Sequence, residues 1–300
     1  MPEIIAVAGA SGRLGRLIVD ALVKRGATVR ALVRPETGAE KRQGLDGAEL
    51  ATADLSDPAS LKQALAGTEV VVSALNGLRD VIVEGQGRML EAAIGAGVQR
   101  FIPSDYAADI MALEPGENRN FDLRREFRRK LLGSPIKSTS VLVGGFMELL
   151  LRGRLLDAQA RKVNYWGDPD QPLDYTTMAD TAAITAEAAI DPGPPPILRM
   201  VGDTVTAREI AAIASDVAGT PFSLECLGTI EDLAAAIAKE RQAHPEAEAE
   251  VFPRFQQLQY THNMQSGRGK LAPLDNGRYD LRLTSVRDLL VANAKMLQAN

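Results

Sequence analysis

Short apolar runs alternate with longer segments of helical period through the first half of the chain. Several of the runs, such as Ile4–Ala8 and Val70–Val72, are apolar at every position. A continuous apolar run indicates a strand buried on both faces of a sheet, and alternation with helices predicts a parallel sheet. We predict strands at Ile4–Ala8, Thr28–Val33, Glu49–Thr52, Val70–Ser73, Arg100–Pro103 and Ser138–Val143.

Helical periodicity fills the segments between these strands and returns near the end of the chain. The pattern predicts an α/β fold, a doubly wound parallel sheet of the Rossmann type. After about residue 150 the pattern loosens, and a Pro/Gly-rich stretch covers Asp191–Pro196. We predict helices at Gly12–Lys24, Pro58–Ala66, Ile82–Ala96, Phe121–Leu132, Ala207–Val217 and Ile230–His244. The predicted domains are residues 1–150 and a smaller, mostly helical C-terminal region, residues 151–300, with part of 160–200 rejoining the first domain.

The composition is that of a globular protein and leaves few residues for metal or hydrolytic chemistry. Of the 300 residues, 45% are hydrophobic and 24% are charged, close to the average for globular chains. The one cysteine, Cys226, makes an intrachain disulfide or a thiolate cluster impossible and suits a reducing compartment. The two histidines, His244 and His262, make a histidine metal site or a Ser-His-Asp triad improbable.

Charge and hydropathy argue against nucleic acid and membrane partners. The balance of 34 Lys and Arg against 39 Asp and Glu gives a net charge of −5, the wrong sign for binding phosphate backbones. The N-terminus lacks the basic region of a signal peptide, and no apolar run reaches bilayer-spanning length. We therefore expect a soluble cytoplasmic protein.

A glycine motif of the form GxxGxxG follows the first predicted strand and opens the first predicted helix. In this position glycines permit a tight bend, and the helix N-terminus presents free N–H groups to a pyrophosphate. The motif predicts a dinucleotide-binding turn; a glycine-rich turn without a ligand is the alternative. The predicted cofactor-binding residues of the turn are Gly9, Ser11, Gly12, Arg13, Leu14 and Gly15.

The end of the second predicted strand indicates which dinucleotide binds. An acidic residue there would hold the ribose 2′-hydroxyl of NAD, but the sequence has Arg34. Together with Arg13 and with Lys41 or Arg42, Arg34 would form a cationic socket for a 2′-phosphate. The prediction is NADP(H) rather than NAD(H), and a solvated charge at the strand end is the alternative for Arg34.

With these residues in view, the sequence resembles the isoflavone reductase-like and NmrA-like branch of the atypical short-chain dehydrogenases. The matching segments run in the family's order through most of the first 190 residues, whereas the last hundred match loosely. Beyond the glycine motif they are Ala31–Pro35, Ala53–Leu61, Val71–Leu75, Arg100–Tyr106, Gly145–Met147 and the region of Tyr175–Ala183.

The resemblance implies roles for loops at the strand ends. The loop after the fourth strand would wrap the nicotinamide half of NADP, and its residues would bind cofactor, as would Ser104 after the fifth strand; ordinary turn chemistry is the alternative. Phe146 and Met147 would shape a substrate pocket, or else merely pack the second domain onto the first. The residues of the fourth-strand loop are Ser73, Ala74, Leu75 and Asn76.

The sequence departs from the family at the position of the catalytic lysine. Family reductases are similar in placing a lysine three residues after a Phe, whereas here Phe121 is followed by Arg124. Arginine stays protonated, so it cannot exchange a proton, although it can stabilise an anion. Arg124 would orient substrate or cofactor, or mark a site without catalysis, or belong to a solvated helix face. The Tyr-x-x-x-Lys pair of other short-chain dehydrogenases is absent, which leaves Tyr106 as the nearest candidate proton donor.

The resemblance implies an NADPH-dependent reductase that transfers hydride to a small aromatic, enone, benzylic-ether or quinone-like substrate. The alternative is a non-catalytic NADP(H)-sensing regulator of the NmrA-like type, whose partner is another protein. The expected form is a monomer or homodimer with no metal.

Overall fold

The structure, a computed structural model, describes residues 4–298, apart from the side chain of Lys41. The chain forms two compact units, and each is built from several stretches of sequence. The first unit holds the described residues up to 106 together with 120–141 and 181–198, and the second holds 107–119, 142–180 and 199 onward. The predicted division into residues 1–150 and 151–300 stays a prediction.

The strands are longest near the start of the chain and become short after residue 137. They are β1 Ile4–Ala8, β2 Thr28–Val33, β3 Glu49–Thr52, β4 Thr68–Ser73, β5 Arg100–Ile102, β6 Lys137–Ser138, β7 Ser140–Leu142, β8 Gly145–Phe146, β9 Leu156–Asp157, β10 Lys162–Tyr165, β11 Leu173–Thr176, β12 Ile197–Arg199, β13 Asp203–Val205 and β14 Ser223–Cys226.

Helices connect most of these strands and dominate the C-terminal part. The α-helices are α1 Arg13–Lys24, α2 Ala39–Arg42, α3 Pro58–Ala64, α4 Gln86–Gly95, α5 Arg119–Leu132, α6 Met178–Ile190, α7 Ala207–Ala218, α8 Ile230–Ala243, α9 Arg254–Gln265, α10 Val286–Ala292 and α11 Ala294–Gln298. A π-helical turn at Asp80–Gly85 precedes α4, and 3-10 helices lie at Met147–Arg152 and Pro245–Ala249. Within residues 4–298, no helix is both long and apolar enough to cross a membrane.

The first unit is a Rossmann-like α/β fold, as the sequence predicts. Its six strands lie in the order β3-β2-β1-β4-β5-β6, and all five neighbouring pairs are parallel. Parallel strands end at the same edge of the sheet, and the order reverses between β1 and β4. In doubly wound folds the ligand binds at this reversal, outside the carboxyl ends of the strands. A ligand site is therefore expected at the loops after β1, β4 and β5.

Three predicted strands match the structure at both ends, but the sixth prediction, Ser138–Val143, covers two separate strands. Thr139 N–H donates to Phe101 O over 3.2 Å, which continues the pairing with β5, whereas Ser140 N–H donates to Pro196 O over 3.0 Å. The backbone thus changes partner at Ser140, and one strand becomes β6 and β7.

The second unit has its own hydrophobic core. Two three-stranded sheets, β14-β10-β9 and β13-β11-β8, are found there with helices α7 to α11. The core includes Met147 and Ile210, which are fully buried. The unit is comparable in length to the first, and none of the strands of its two sheets exceeds four residues.

Candidate functional site

The turn after β1 closes on itself and on the end of β4. Gly9 has a φ of +75°, a left-handed conformation that favours glycine. A Cβ atom on Gly9 would lie 2.6 Å from Ala74 O, and one on Gly15 would lie 2.1 Å from Gly9 O. Both distances are shorter than real Cβ atoms show, and both involve backbone atoms, so these positions favour glycine strongly. The first turn of α1, the turn after β1 and the loop after β4 consequently form one interlocked structure.

Within the part of the chain that the structure describes, no side chain caps the N-terminus of α1. Its N-cap residue is Gly12, which offers no side chain to the first N–H groups, and the first turn contains no acidic residue. The turn is held instead by a backbone bond of 2.9 Å from Gly12 N–H to Gly9 O. Free N–H groups and the positive end of the helix dipole favour an anion at this point. The geometry fits the pyrophosphate of a dinucleotide.

The predicted cations after β2 lie on the surface. The Arg34 side chain is 67% exposed, and its Nε lies 3.1 Å from Glu36 Oε1. Arg42 Nε donates to Thr37 O over 2.9 Å, and Arg13 is exposed. Lys41 lies in α2, and its side chain falls outside the part that the structure describes. An exposed pair such as Arg34 with Glu36 is weak, so the guanidinium is available to a stronger anion.

The loop after β4 presents both backbone and side-chain polar groups. Ala74 N–H donates to Ala8 O over 2.8 Å, which extends the β1–β4 pairing past the strand end. Ser73 is fully buried, and within residues 4–298 its hydroxyl has no hydrogen-bond partner. Asn76 is exposed. An unsatisfied buried hydroxyl is costly, and its place at the end of β4 is where a ligand of this fold lies.

Ser104 joins the loops after β4 and β5. Its hydroxyl donates to Leu75 O over 2.6 Å, and its N–H contacts Gln86 Oε1 at 3.4 Å. Gln86 is itself buried and donates through Nε2 to Ile82 O over 2.8 Å. The carbonyl of Ser104 accepts from Arg124, so every polar atom of this residue has a partner.

Arg124 is partly committed to the backbone. Its Nε donates to Ser104 O over 2.8 Å, and its Nη1 donates to Asn120 O over 3.1 Å. These bonds hold the loop after β5 against α5. A guanidinium held in this way keeps its charge and its position, so it suits anion stabilisation rather than proton exchange. The predicted catalytic role of Arg124 stays a prediction.

Asp105 is a buried carboxyl group between two arginines. Its Oδ2 accepts from Ser140 Oγ over 2.8 Å. Burial raises the pKa of Asp105 above its ordinary value, and the Ser140 hydrogen bond and the charges of Arg124 and Arg128 oppose that rise. The net direction is a rise, so these neighbours offset the effect of burial only in part.

Tyr106 lies below the surface of the first unit. Burial raises the pKa of its hydroxyl far above the ordinary value, the Thr185 side chain lies beside it, and the charge of Asp105 raises the pKa further. The phenol thus stays protonated at neutral pH. Its predicted role as proton donor stays a prediction, and within residues 4–298 its hydroxyl has no hydrogen-bond partner.

In the second unit, the predicted substrate-binding residues follow a left-handed glycine. Gly144 has a φ of +73°, and a Cβ there would lie 2.3 Å from Asp174 O. Phe146 pairs with Thr176 of β11 and is half-buried, whereas Met147 is fully buried in the core of this unit. Phe146 therefore retains accessible surface for a ligand, and Met147 acts as packing.

The chain matches the NmrA-like family over residues 1–275. It belongs to that family. The resemblance found in the sequence to the NmrA-like and isoflavone reductase-like proteins is thus confirmed.

This NmrA-like chain is similar to plant reductases. The bifunctional pinoresinol-lariciresinol reductase of Linum usitatissimum is 33% identical over 197 residues, or 60% of this chain and 63% of that protein. Phenylcoumaran benzylic ether reductase PT1 of Pinus taeda is 28% identical over 228 residues, or 70% of this chain and 73% of that protein. The structure of AtPrR2 with NADP+ and (+)pinoresinol has a TM-score of 0.80 at 24% identity and covers 97% of this chain and 98% of that one.

These matches differ in what they establish for this chain. The alignment with the Linum protein spans less than two thirds of that protein's length, and the likeness to AtPrR2 shows a shared fold. The family and the Rossmann-like architecture are therefore established for this NmrA-like protein, whereas its activity and substrate are matters for proposal.

The structure brings most of the predicted residues of the first unit together. Direct contacts link Gly9 to Ala74, and Leu75 through Ser104 to Arg124. Arg34 contacts Glu36 instead. Phe146 and Met147 belong to the second unit.

Two participants, Gln86 and Ser140, could not be predicted from the sequence. Gln86 lies within a predicted helix and Ser140 within a predicted strand, and neither belongs to a motif. Their roles arise from contacts with residues 18 and 35 positions away, which only the folded chain reveals.

Proposed function

We propose that this NmrA-like protein is an NADPH-dependent reductase that transfers hydride to a small aromatic, enone, benzylic-ether or quinone-like substrate. When bound, the nicotinamide would supply the hydride. The names of the related proteins, a pinoresinol-lariciresinol reductase and a phenylcoumaran benzylic ether reductase, support the reaction and the aromatic benzylic-ether class. The chain's own residues would bind and orient both reactants.

One observation carries the proposal: the interlocked glycine turn beside the uncapped N-terminus of α1. Gly9 and Gly15 leave room for no side chain, and Gly12 leaves the first N–H groups of α1 without a side-chain cap. Ser11, Arg13 and Leu14 complete the proposed pyrophosphate site. Arg34, with help from Arg13 and Lys41, would bind the 2′-phosphate bidentately, because phosphate and guanidinium match in geometry.

The nicotinamide half would lie along the loops after β4 and β5. There the proposed contacts are Ser73, Ala74, Leu75, Asn76 and Ser104. The buried hydroxyl of Ser73 has no partner among the described residues, and a contact with the cofactor would require the loop after β4 to expose it. Arg124 would stabilise negative charge on the substrate, and Tyr106 remains the candidate donor of a proton. Phe146, which is half-buried, is the proposed substrate contact, and Met147 would hold it in place from the core.

The proposal extends to partners and location. A small molecule is the proposed substrate, with neither nucleic acid nor membrane as a partner, and the net charge of −5 supports the first exclusion. We propose a monomer or homodimer in the cytoplasm, since the one cysteine suits a reducing compartment.

The test combines binding and turnover with the purified full chain. NADPH and NADH are titrated by quenching of protein fluorescence, and NADPH oxidation is then followed with a panel of quinones, enones and benzylic ethers. The reductase proposal predicts tighter binding of NADPH than of NADH and turnover with at least one class. Tight NADPH binding with no turnover across the panel would contradict it.

A second candidate function is an NADP(H)-sensing regulator that binds a protein partner. The observation in its favour is Arg124, which replaces the family lysine and donates to the carbonyls of Ser104 and Asn120. A sensor needs tight nucleotide binding and no proton exchange. Binding without turnover is the result that favours it over the reductase.

A further inference from the structure

A buried chain of hydrogen bonds connects α5 to the loop after β5. Arg128 Nη1 donates to Ser140 Oγ over 2.6 Å, and Ser140 Oγ donates to Asp105 Oδ2 over 2.8 Å. The three residues are 8%, 0% and 1% exposed. An arginine side chain has donors only, so Ser140 Oγ accepts from it and directs its own proton to Asp105 Oδ2.

Burying a polar network of this kind has an unfavourable desolvation free energy. Removing a guanidinium and a carboxyl group from water carries a desolvation cost, and apolar residues of the same volume often serve stability as well. A bridging hydroxyl adds a geometric requirement, because it must reach both partners at once. The arrangement points to accurate placement of Asp105 rather than to stability.

Placement of Asp105 sets the position of Ser104, its neighbour in the chain. Ser104 accepts from Arg124 Nε over 2.8 Å and donates to Leu75 O over 2.6 Å. Leu75 follows Ala74, whose carbonyl packs against Gly9. A shift of Asp105 would thus pass through Ser104 to the loop after β4.

We infer that Arg128, Ser140 and Asp105 are positioning residues for the nicotinamide side of the cofactor site, acting through Ser104 and the loop after β4. The inference rests on the proposed function, because it assumes that NADPH occupies the carboxyl edge of the sheet. All three side chains are buried, so they act without touching the cofactor themselves.

The test compares two probes of the full-length protein: NADPH, and adenosine 2′,5′-bisphosphate, which lacks the nicotinamide half. Ser140→Ala should weaken NADPH binding about tenfold, the effect expected when a charge-assisted hydrogen bond is lost. It should leave the bisphosphate within about twofold, because that probe uses the glycine turn and Arg34. Ser140→Thr retains a hydroxyl and should restore NADPH binding.

A matched control is Ser134→Ala, which removes a hydroxyl that donates to Leu131 O over 2.7 Å at the end of α5. Both probes should bind this variant as they bind the wild type. If Ser140→Ala does not fold, Arg128→Lys provides the second variant, with the same expected loss for NADPH alone.

The outcomes separate the inference from the proposed function. Equal weakening of both probes, or unchanged NADPH binding in Ser140→Ala, would overturn the inference while leaving the reductase intact. A wild-type protein that binds neither probe would overturn the proposed function, and the inference would fall with it.

Discussion

The two sides of the proposed cofactor site are held in place by different kinds of contact. The turn side, residues Gly9–Gly15 with Arg34, consists of backbone packed closely at Gly9 and Gly15 and an arginine that is 67% exposed. The β5 side, Ser104 and Asp105 with the α5 arginines that hold them, consists of side chains in a network that is largely buried. Close backbone packing leaves no room for an added atom, so one methyl group should disrupt it. A side-chain network should lose its geometry gradually as single hydrogen bonds are removed.

The largest effect is expected on the turn side, from Gly15→Ala. The new Cβ would lie 2.1 Å from Gly9 O, so backbone must move and the turn must open. We expect NADPH affinity to fall more than about 100-fold and the free energy of unfolding to fall by about 1–3 kcal/mol. Fluorescence titration and urea unfolding measure the two quantities.

Gly95→Ala is the control for that substitution. Gly95 is the last residue of α4, and a Cβ there meets nothing within 4 Å. NADPH binding should be unchanged, and stability should rise slightly because alanine favours a helix. Normal NADPH binding by Gly15→Ala would show that the interlocked turn is not the binding element.

The next effect is expected at the exposed cation of the turn side. Arg34→Ala should lower NADPH affinity about 10- to 100-fold, the range for a charge-assisted contact with phosphate. NADH lacks the 2′-phosphate, so its affinity should change by less than about twofold. Isothermal titration with both cofactors measures the ratio.

Two variants sharpen the Arg34 result. Arg129→Ala removes an exposed arginine of α5 and should change neither affinity. Glu36→Gln removes the carboxylate that pairs with Arg34 and should strengthen NADPH binding modestly. Equal losses for NADH and NADPH in Arg34→Ala would remove the argument for NADP(H).

On the β5 side, the pH dependence of stability should reveal Asp105. Its folded pKa is raised by burial above the ordinary 3.8, with the Ser140 hydrogen bond and the charges of Arg124 and Arg128 opposing that rise. The stability contributed by this group is thus fully present below the ordinary pKa and is lost as pH rises through the folded pKa. The loss begins at about pH 4 and continues until the folded carboxyl group is ionised.

Asp105→Asn removes that titration while keeping an oxygen that accepts from Ser140. Its unfolding free energy, measured by denaturant from pH 4 to pH 7, should fall less with rising pH than that of the wild type. Tyr106, the next residue in the chain, stays protonated throughout because its own pKa is raised. Parallel profiles for the two proteins would mean that Asp105 titrates normally.

The smallest effect is expected at Ser73, at the end of β4. Its hydroxyl is buried and has no partner within residues 4–298, so Ser73→Ala should raise the free energy of unfolding by about 1 kcal/mol. The same change should weaken NADPH several-fold if the cofactor uses the hydroxyl. A variant that is more stable and binds NADPH as tightly as the wild type would remove Ser73 from the site.

The sequence predicts the turn side far better than the β5 side. A strand such as β1 is buried on both faces, so each position is apolar and its ends are visible. The glycine spacing is likewise visible in the sequence, because the turn requires glycine at those positions. No pattern in the sequence marks Ser140, because its role depends on contacts with Arg128 and Asp105 that form only in the folded chain.

The same distinction applies to the fold. The longer parallel strands of the first unit can be predicted because apolar runs mark them. The second unit's short strands, such as β8 and β9 with two residues each, are too short to show a period. The change of partner at Ser140 escapes prediction because nothing in Ser138–Val143 signals where the bonding to β5 stops.

Gly12, the N-cap residue of α1, also bears on the folding stability of the protein. Without a cap from Gly12, the free protein folds with that helix start unfinished, and a bound anion completes it. Nucleotide binding would then add directly to folding stability, by about 2.7 kcal/mol at a concentration 100 times the dissociation constant. The melting temperature of this protein would serve as a gauge of the nucleotide concentration around it.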